Sequence, residues 1–122
     1  MILNEAAFRE KNGLYHLLEA LHYSSERYGA VITVPSGFIS DLASVPDIIP
    51  PFLVNDSGKI TYAAIVHDYL YATKGGKLDF TKGESDLMFR DIMIERGMPR
   101  WRAYLAWLGV TLNVKALWEW DK

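Results

Sequence analysis

Residues 59–72 read KITYAAIVHDYLYA, and the architecture predicted for the rest of the chain follows from this segment. Its apolar side chains, among them Ile60, Ala63 and Leu70, recur at intervals of three and four residues, which is typical of one face of an α-helix. The run KGGK at residues 74–77 contains two glycines and ends the pattern. We therefore predict a helix over residues 59–72.

Two further helices are predicted after this first one. Thr81 can cap a helix over residues 82–96, and Glu84 completes a capping box with it. Gly97 is a natural end for that helix, and a proline opens a third helix over about residues 99–118. The short connection between the first two helices predicts that they pack as an antiparallel pair.

Strands and turns are predicted before the helices. Residues 30–34, AVITV, favour a strand, and residues 38–41 could form another. Residues 14–23 fit a helix face or a strand, and we favour a β-hairpin with its turn at residues 24–29 because a strand follows so soon. The predicted fold class is α+β, an N-terminal antiparallel β-hairpin or small sheet followed by three α-helices, in a single domain over residues 1–122.

Composition excludes several classes of function. The chain has 122 residues, of which 50% are apolar and 23% are charged, as in a globular domain. A net charge of −2 argues against nucleic-acid binding, and the absence of cysteine excludes disulfide scaffolds, zinc fingers and thiol nucleophiles. The N-terminus lacks the pattern of a signal peptide, and the uncharged run at residues 103–114 is too short for a transmembrane segment.

The strongest candidate for chemistry is His67, in the first helix. Tyr71 lies four residues later on the same helix face, and Asp68 lies about 100° further round, so that it can border the same cavity. Asp86 lies as far after the interhelical turn as His67 lies before it, so the two should meet across an antiparallel pair. We predict that Asp86 accepts the Nδ1–H of His67 and leaves Nε2 free as a general base.

A second group of polar residues lies in the loop DLASVP, residues 41–46. Asp41 and Ser44 could line the pocket beside His67, or they could form local turns. Ser44 could also be the nucleophile of a Ser–His–Asp arrangement with His67 and Asp86, although no G-x-S-x-G motif surrounds it. The alternative to any catalytic role is a buried polar network that locks the helix pair.

Tryptophans are concentrated near the C-terminus, at Trp101, Trp107, Trp118 and Trp120. Such a helix can pack into the core, contact another chain or dock on a lipid surface. We take Trp101, Trp118 and Trp120 as the candidate residues for binding a partner.

Three motifs resemble a small phage and prophage family that is catalogued as a domain of unknown function. The motifs are GFISDLASVP at residues 37–46, AAIVHDYLY at residues 63–71 and SDLMF at residues 85–89, followed by a tryptophan-rich helix. The resemblance covers roughly residues 35–118, with Ser40 and Ser85 standing where threonine and alanine are usual. It implies a phage protein that is located in the host cytoplasm or in the virion.

The helix pair also resembles, more weakly, that of secreted and parvoviral phospholipases of the A2 type. Mapped by motif, this resemblance implies that His67 is the base that activates water and that Asp68 is a ligand of Ca²⁺. It further implies that Asp86 orients His67 and that Tyr71 supports the site. The implied activity is Ca²⁺-assisted ester hydrolysis, with membrane lipid as the binding partner.

Three functions are therefore open. The first is a phage-encoded hydrolase that acts on the host envelope in lysis or entry. The second is a non-enzymatic tail, capsid or assembly component, in which the His, Asp and Tyr cluster is structural and another phage structural protein is the partner. The third is an inhibitor of a host protein.

Overall fold

The computed structural model describes residues 1–12, 14–40 and 57–112, in which five strands precede three α-helices. The strands are β1 (Phe8–Lys11), β2 (Leu14–Leu17), β3 (Leu21–Ser25), β4 (Ala30–Val34) and β5 (Ile39–Ser40). The helices are α1 (Ser57–Ala72), α2 (Lys82–Glu95) and α3 (Arg100–Thr111), with one turn of 3₁₀-helix at Gly76–Leu78. This order confirms the predicted α+β fold class.

The strands form two antiparallel sheets. One has the order β1-β2-β5, and the other is the hairpin of β3 and β4. In the hairpin, Leu21 pairs with Val34 and Tyr23 pairs with Ile32, and all four side chains are buried. Because side chains alternate between the faces of a strand, this register directs one apolar face of the hairpin into the core.

The predicted hairpin with its turn within residues 24–29 is confirmed as β3 and β4, but its first arm does not include all of residues 14–23. Residues 14–23 do not form one arm of a hairpin, since their first part is β2 and their last part belongs to β3 in the other sheet. The strand β1 was not predicted, because all four of its side chains are exposed and show no apolar alternation. The strand expected at residues 38–41 is described as Ile39–Ser40, and its last predicted residue lies outside the described residues.

The helix pair forms as predicted, and local signals fix the ends of α2. The Thr81 hydroxyl accepts from the backbone N–H of Glu84 at 3.1 Å, and the Glu84 carboxylate accepts from the Thr81 N–H at 2.8 Å. At the other end, Gly97 has φ of 102°, and the Met98 N–H donates to the Met93 carbonyl at 2.9 Å. These are the predicted capping box and a Schellman motif.

One buried apolar cluster contains residues of β2, β3, β4 and all three helices. Helix α3 contributes its small residues to this cluster, with Ala103, Ala106 and Val110 buried. Trp101 lies on the other face and is 57% exposed. The described helix ends at Thr111, so the predicted continuation toward residue 118 lies outside the described residues.

None of the helices in the described ranges combines the length and the apolar character that crossing a bilayer would require.

The connection between α1 and α2 depends on Gly75, and replacing it with alanine is expected to destabilise the fold by at least about 2 kcal/mol. Gly75 has φ of +99°, and a Cβ there would lie 2.1 Å from the Phe80 carbonyl oxygen and 2.6 Å from the Phe80 nitrogen. Both are backbone atoms, and the Phe80 N–H donates to the Gly75 carbonyl at 3.1 Å, so relief of the overlap would break this turn. Chemical denaturation measures the loss.

Gly29→Ala is the matched control for Gly75→Ala. Gly29 has φ of +61°, but nothing lies within 4 Å of its added Cβ. Gly29→Ala should lower the free energy of unfolding only by the cost of holding alanine in the left-handed conformation, about 1–2 kcal/mol. Equal losses in the two variants would show that steric overlap with Phe80 contributes nothing.

Candidate functional site

The structure brings His67 and Asp86 together across the helix pair. His67 Nε2 lies 2.7 Å from Asp86 Oδ1. The His67 ring also packs against the ring of Phe89, with the ring centroids 5.0 Å apart. A short hydrogen bond on one edge and an aromatic contact restrict the orientation of the imidazole.

The prediction of which His67 nitrogen bonds to Asp86 was wrong. We predicted that Asp86 would accept from Nδ1 of His67, whereas the bond is made by Nε2. Nε2 is the ring nitrogen farther from the backbone, so it is the atom that reaches from one helix to the next. The nitrogen left for chemistry is therefore Nδ1, for which the described residues offer no hydrogen-bond partner.

Asp86 is almost completely buried and is held by more than His67. Its side chain is 1% exposed, and Oδ2 lies 2.7 Å from Nζ of Lys82, which is itself 8% exposed. Lys82 Nζ also donates to the Val110 carbonyl at 2.9 Å, and the Thr111 hydroxyl lies 3.4 Å from Oδ2 of Asp86. The cluster of His67, Asp86 and Lys82 therefore ties all three helices together and pairs a buried carboxylate with a buried cation.

Asp68 faces a different neighbour. Its Oδ2 accepts from the hydroxyl of Ser40 at 2.8 Å, and Ser40 is 1% exposed at the end of β5. This bond joins the three-stranded sheet to α1 beside His67. Tyr71 follows His67 by one helical turn and is half-buried.

Some predicted site residues are not described. Asp41 and Ser44 fall within residues 41–56, and Trp118 and Trp120 fall within residues 113–122, all outside the described residues. Their predicted roles stay predictions.

Sequence reasoning missed Lys82 and Ser40. Lys82 is the first residue of α2, where a cation is disfavoured by the helix dipole, and it lies four residues before Asp86 on the same face. This unusual position is the feature of the sequence from which a role for Lys82 could have been predicted. Ser40 carried no comparable signal, since its contact with Asp68 spans 28 residues of sequence.

A calcium site needs a set of oxygen donors that converge on one point, usually about six to eight of them. Within residues 1–12, 14–40 and 57–112, no group of three or more His, Asp or Glu side chains could hold a metal ion. The carboxylates of these residues therefore do not build a calcium site by themselves.

Within the cluster, His67 is the residue whose side chain can accept a proton. A neutral imidazole that donates its Nε2–H to a carboxylate carries its lone pair on Nδ1. The His67 side chain is 19% exposed, so water can reach the ring. An imidazole held in this way has the chemical means to accept a proton from water at Nδ1.

Comparison with known proteins matches residues 15–110 to a family described as "Protein of unknown function (DUF1353)". The chain belongs to this family. The DUF1353 match runs from β2 to near the end of α3 and includes Ser40, His67, Lys82 and Asp86. No curated protein and no solved structure shows significant similarity to the chain.

Proposed function

We propose that this DUF1353 protein is an ester hydrolase in which His67 is the general base and Asp86 is the residue that orients it. The observation that carries the proposal is the 2.7 Å bond between His67 Nε2 and a carboxylate that is 1% exposed. Such a bond holds the ring in one orientation and stabilises the imidazolium that forms when the base takes a proton.

The proposed reaction needs no protein nucleophile. Nδ1 of His67 takes a proton from a water molecule while the water oxygen attacks the ester carbonyl carbon. The resulting tetrahedral intermediate then breaks its bond to the leaving alkoxide, which receives the proton from Nδ1. The products are a carboxylic acid and an alcohol, and His67 returns to its neutral form.

The proposed substrate is a phospholipid ester of the host envelope, hydrolysed by a phage protein during lysis or entry. The phage assignment is supported by the three sequence motifs, and the phospholipid by the likeness of the helix pair to phospholipases of the A2 type. Exposed apolar side chains on α3, namely Trp101, Tyr104 and Leu105, offer a surface that suits contact with lipid.

His67→Ala is expected to lower the rate of ester hydrolysis about 10²–10⁴-fold, the usual contribution of a general base. The assay uses phospholipid vesicles, with peptidoglycan as a second envelope substrate. His22→Ala is the matched control, because the ring of His22 forms its exposed hydrogen bond with Thr33, within the β3–β4 hairpin and outside the cluster. Hydrolysis that is unchanged in His67→Ala would overturn the proposal.

Calcium is the cofactor that the phospholipase resemblance predicts, and Asp68 is the predicted ligand. Calorimetric titration of the protein with Ca²⁺ measures this directly, with Mg²⁺ and Zn²⁺ as comparison ions and Asp68→Asn as the variant. Calcium binding that is lost in Asp68→Asn would support a metal-assisted reaction. Binding of none of the three ions would leave the metal-free reaction at His67.

The second candidate function is a non-enzymatic tail, capsid or assembly component. This function is favoured by the hydrogen bonds of Asp86, because both of its carboxylate oxygens are bonded to residues that hold the helices together. In that case the wild type shows no hydrolysis, and the protein is recovered in purified phage particles. Trp101→Ala should then reduce incorporation into particles.

A further inference from the structure

Strand β4 forms one edge of its sheet. Within the described residues it pairs with β3 alone, so no strand lies along its other side. The contacts of β3 show which residues of β4 face that open side. The Leu3 N–H donates to the His22 carbonyl at 2.8 Å. The Ser24 N–H donates to the Met1 carbonyl, also at 2.8 Å, so the backbones of His22 and Ser24 point away from β4.

The open edge of β4 consists of the backbone groups of Val31 and Thr33. In the hairpin register, Thr33 lies opposite His22. Val31 lies opposite Ser24. Because opposite residues of an antiparallel pair either exchange both hydrogen bonds or point apart, the N–H and C=O groups of Val31 and Thr33 also point away from β3. In the described part of the chain these groups have no hydrogen-bond partner, so they offer two donors and two acceptors to a further strand.

A cavity of about 390 Å³ follows this edge. Val31, Ile32 and Thr33 all line it, although consecutive side chains of a strand point to opposite faces of the sheet. The cavity therefore lies beside the strand and not over one face. Its opposite wall is formed by α1 and the interhelical turn, with the apolar side chains of Leu70 and Leu78. The volume lies within the range of ligand pockets, about 300–1,000 Å³, so the cavity has room for apolar side chains of a partner.

The edge of β4 has no charged side chain to prevent strand pairing. Soluble proteins commonly protect exposed edges with charged residues. The strand β1, at the edge of the other sheet, follows this rule with Arg9, Glu10 and Lys11. In contrast, Ala30–Val34 contains only apolar residues and one threonine, and Val31 is 56% exposed. This contrast favours β4 as the edge that receives a partner strand.

The charge beside the cavity is positive. Lys77 lines the cavity and is exposed, and Lys74 is exposed in the same interhelical turn. Among the described residues, no carboxylate forms an ion pair with either lysine. Asp79 belongs to this turn too, but it is not among the residues that line the cavity. The rim of the cavity therefore suits a partner that carries a negative charge next to its apolar side chains.

We propose that the edge of β4 is a docking site for an extended, acidic and apolar peptide segment of a partner protein, which adds a strand beside Val31 and Thr33. Backbone hydrogen bonds hold the segment, an apolar side chain enters the cavity, and an acidic residue lies near Lys77. Neither His67 nor Asp86 lines the cavity, so peptide binding and hydrolysis can be tested independently.

The probes are three seven-residue peptides with blocked termini, in which three apolar residues alternate with two threonines and a glutamate stands at each end. The apolar residue is valine, leucine or phenylalanine. Fluorescence anisotropy measures the Kd of each labelled peptide for the full chain, and the wild type is expected to bind at least one of them.

Amide hydrogen exchange, followed by NMR, locates the peptide on the protein. In the free protein the Ile32 N–H should exchange slowly, because it points toward β3, whereas the Val31 and Thr33 N–H groups should exchange fast. At a free peptide concentration of about ten times Kd, exchange at Val31 and Thr33 should slow about tenfold, and exchange at Ile32 should not change.

Two pairs of variants test the backbone bond and the charge. Val31→Pro removes an N–H that β3 does not use and should weaken binding about tenfold, the contribution of one hydrogen bond. Val31→Thr keeps the N–H and is the matched control, with the wild-type Kd expected. Lys77→Glu should weaken binding about threefold, an effect that high ionic strength should reduce. Its control is Lys11→Glu on β1, which is equally exposed and lies in the other sheet.

Several results would overturn the docking site. Failure of all three peptides to bind the wild type would do so, as would equal Kd values for Val31→Pro and Val31→Thr. If the proline variant does not fold, exchange at Val31 and Thr33 that a bound peptide leaves unchanged would refute the site instead. Slow exchange of both amides in the free protein, together with a dimer in sedimentation, would show that a second copy of the chain covers the edge and would exclude a partner peptide.

Discussion

Asp86→Asn is expected to destabilise the folded protein by about 3–5 kcal/mol, because it leaves the Lys82 ammonium buried without its counter-charge. The lysine is 8% exposed and its other described acceptor is the Val110 carbonyl, which is a dipole and not a charge. The amide has only one acceptor oxygen, so if that oxygen keeps the bond from Lys82, the NH2 group faces His67 and the Nε2–H to oxygen bond is lost. Denaturant unfolding, monitored by tryptophan fluorescence, measures the change in the free energy of unfolding.

Asp91→Asn is the matched control, because it makes the same chemical change on the same helix. Asp91 forms two hydrogen bonds with Arg27, at 2.8 Å and 3.0 Å, but the Arg27 side chain is 42% exposed. An exposed ion pair contributes about 0–1 kcal/mol. If Asp86→Asn lost no more stability than Asp91→Asn, the buried pair would not have the energetic role that its geometry indicates.

Combining Lys82→Met with Asp86→Leu should recover much of the stability that either single replacement loses. Removing one partner leaves a buried charge, whereas replacing both with apolar side chains of similar size is often neutral for stability. The double-mutant cycle should therefore give a favourable coupling of about 0.5–3 kcal/mol between the two positions. Unfolding curves of the wild type, both single variants and the double variant complete the cycle, and simple additivity would contradict the expectation.

The double variant also separates the two candidate functions. In the hydrolase, a stable double variant is inactive, because His67 has lost the carboxylate that orients it. In an assembly component, the same variant keeps its incorporation into particles, because only the packing of the helices matters. Stability and function are thus measured on one protein.

The helices and their ends were predictable because their signals lie within a few residues. The Thr81 and Glu84 capping box requires a spacing of three residues, and Gly97 is recognised by its position after the last apolar turn. The meeting of His67 with Asp86 was also predictable, since equal distances from a short turn place two residues at the same level of a helix pair. Which nitrogen of His67 makes the bond was not predictable, because this depends on the rotamer of the side chain and on the distance between the two helices.

From sequence alone, the chain's composition, helical periodicity and turn residues establish an α+β protein without disulfides, and its spacing identifies a histidine and an aspartate that meet. These features depend on local interactions or on simple counting along helices. Tertiary structure alone divides residues 14–23 between two sheets, buries Lys82 against Val110 and bonds Ser40 to Asp68. Such contacts join residues 28 positions apart, and their formation depends on how the sheet and the three helices pack together, which no local pattern records.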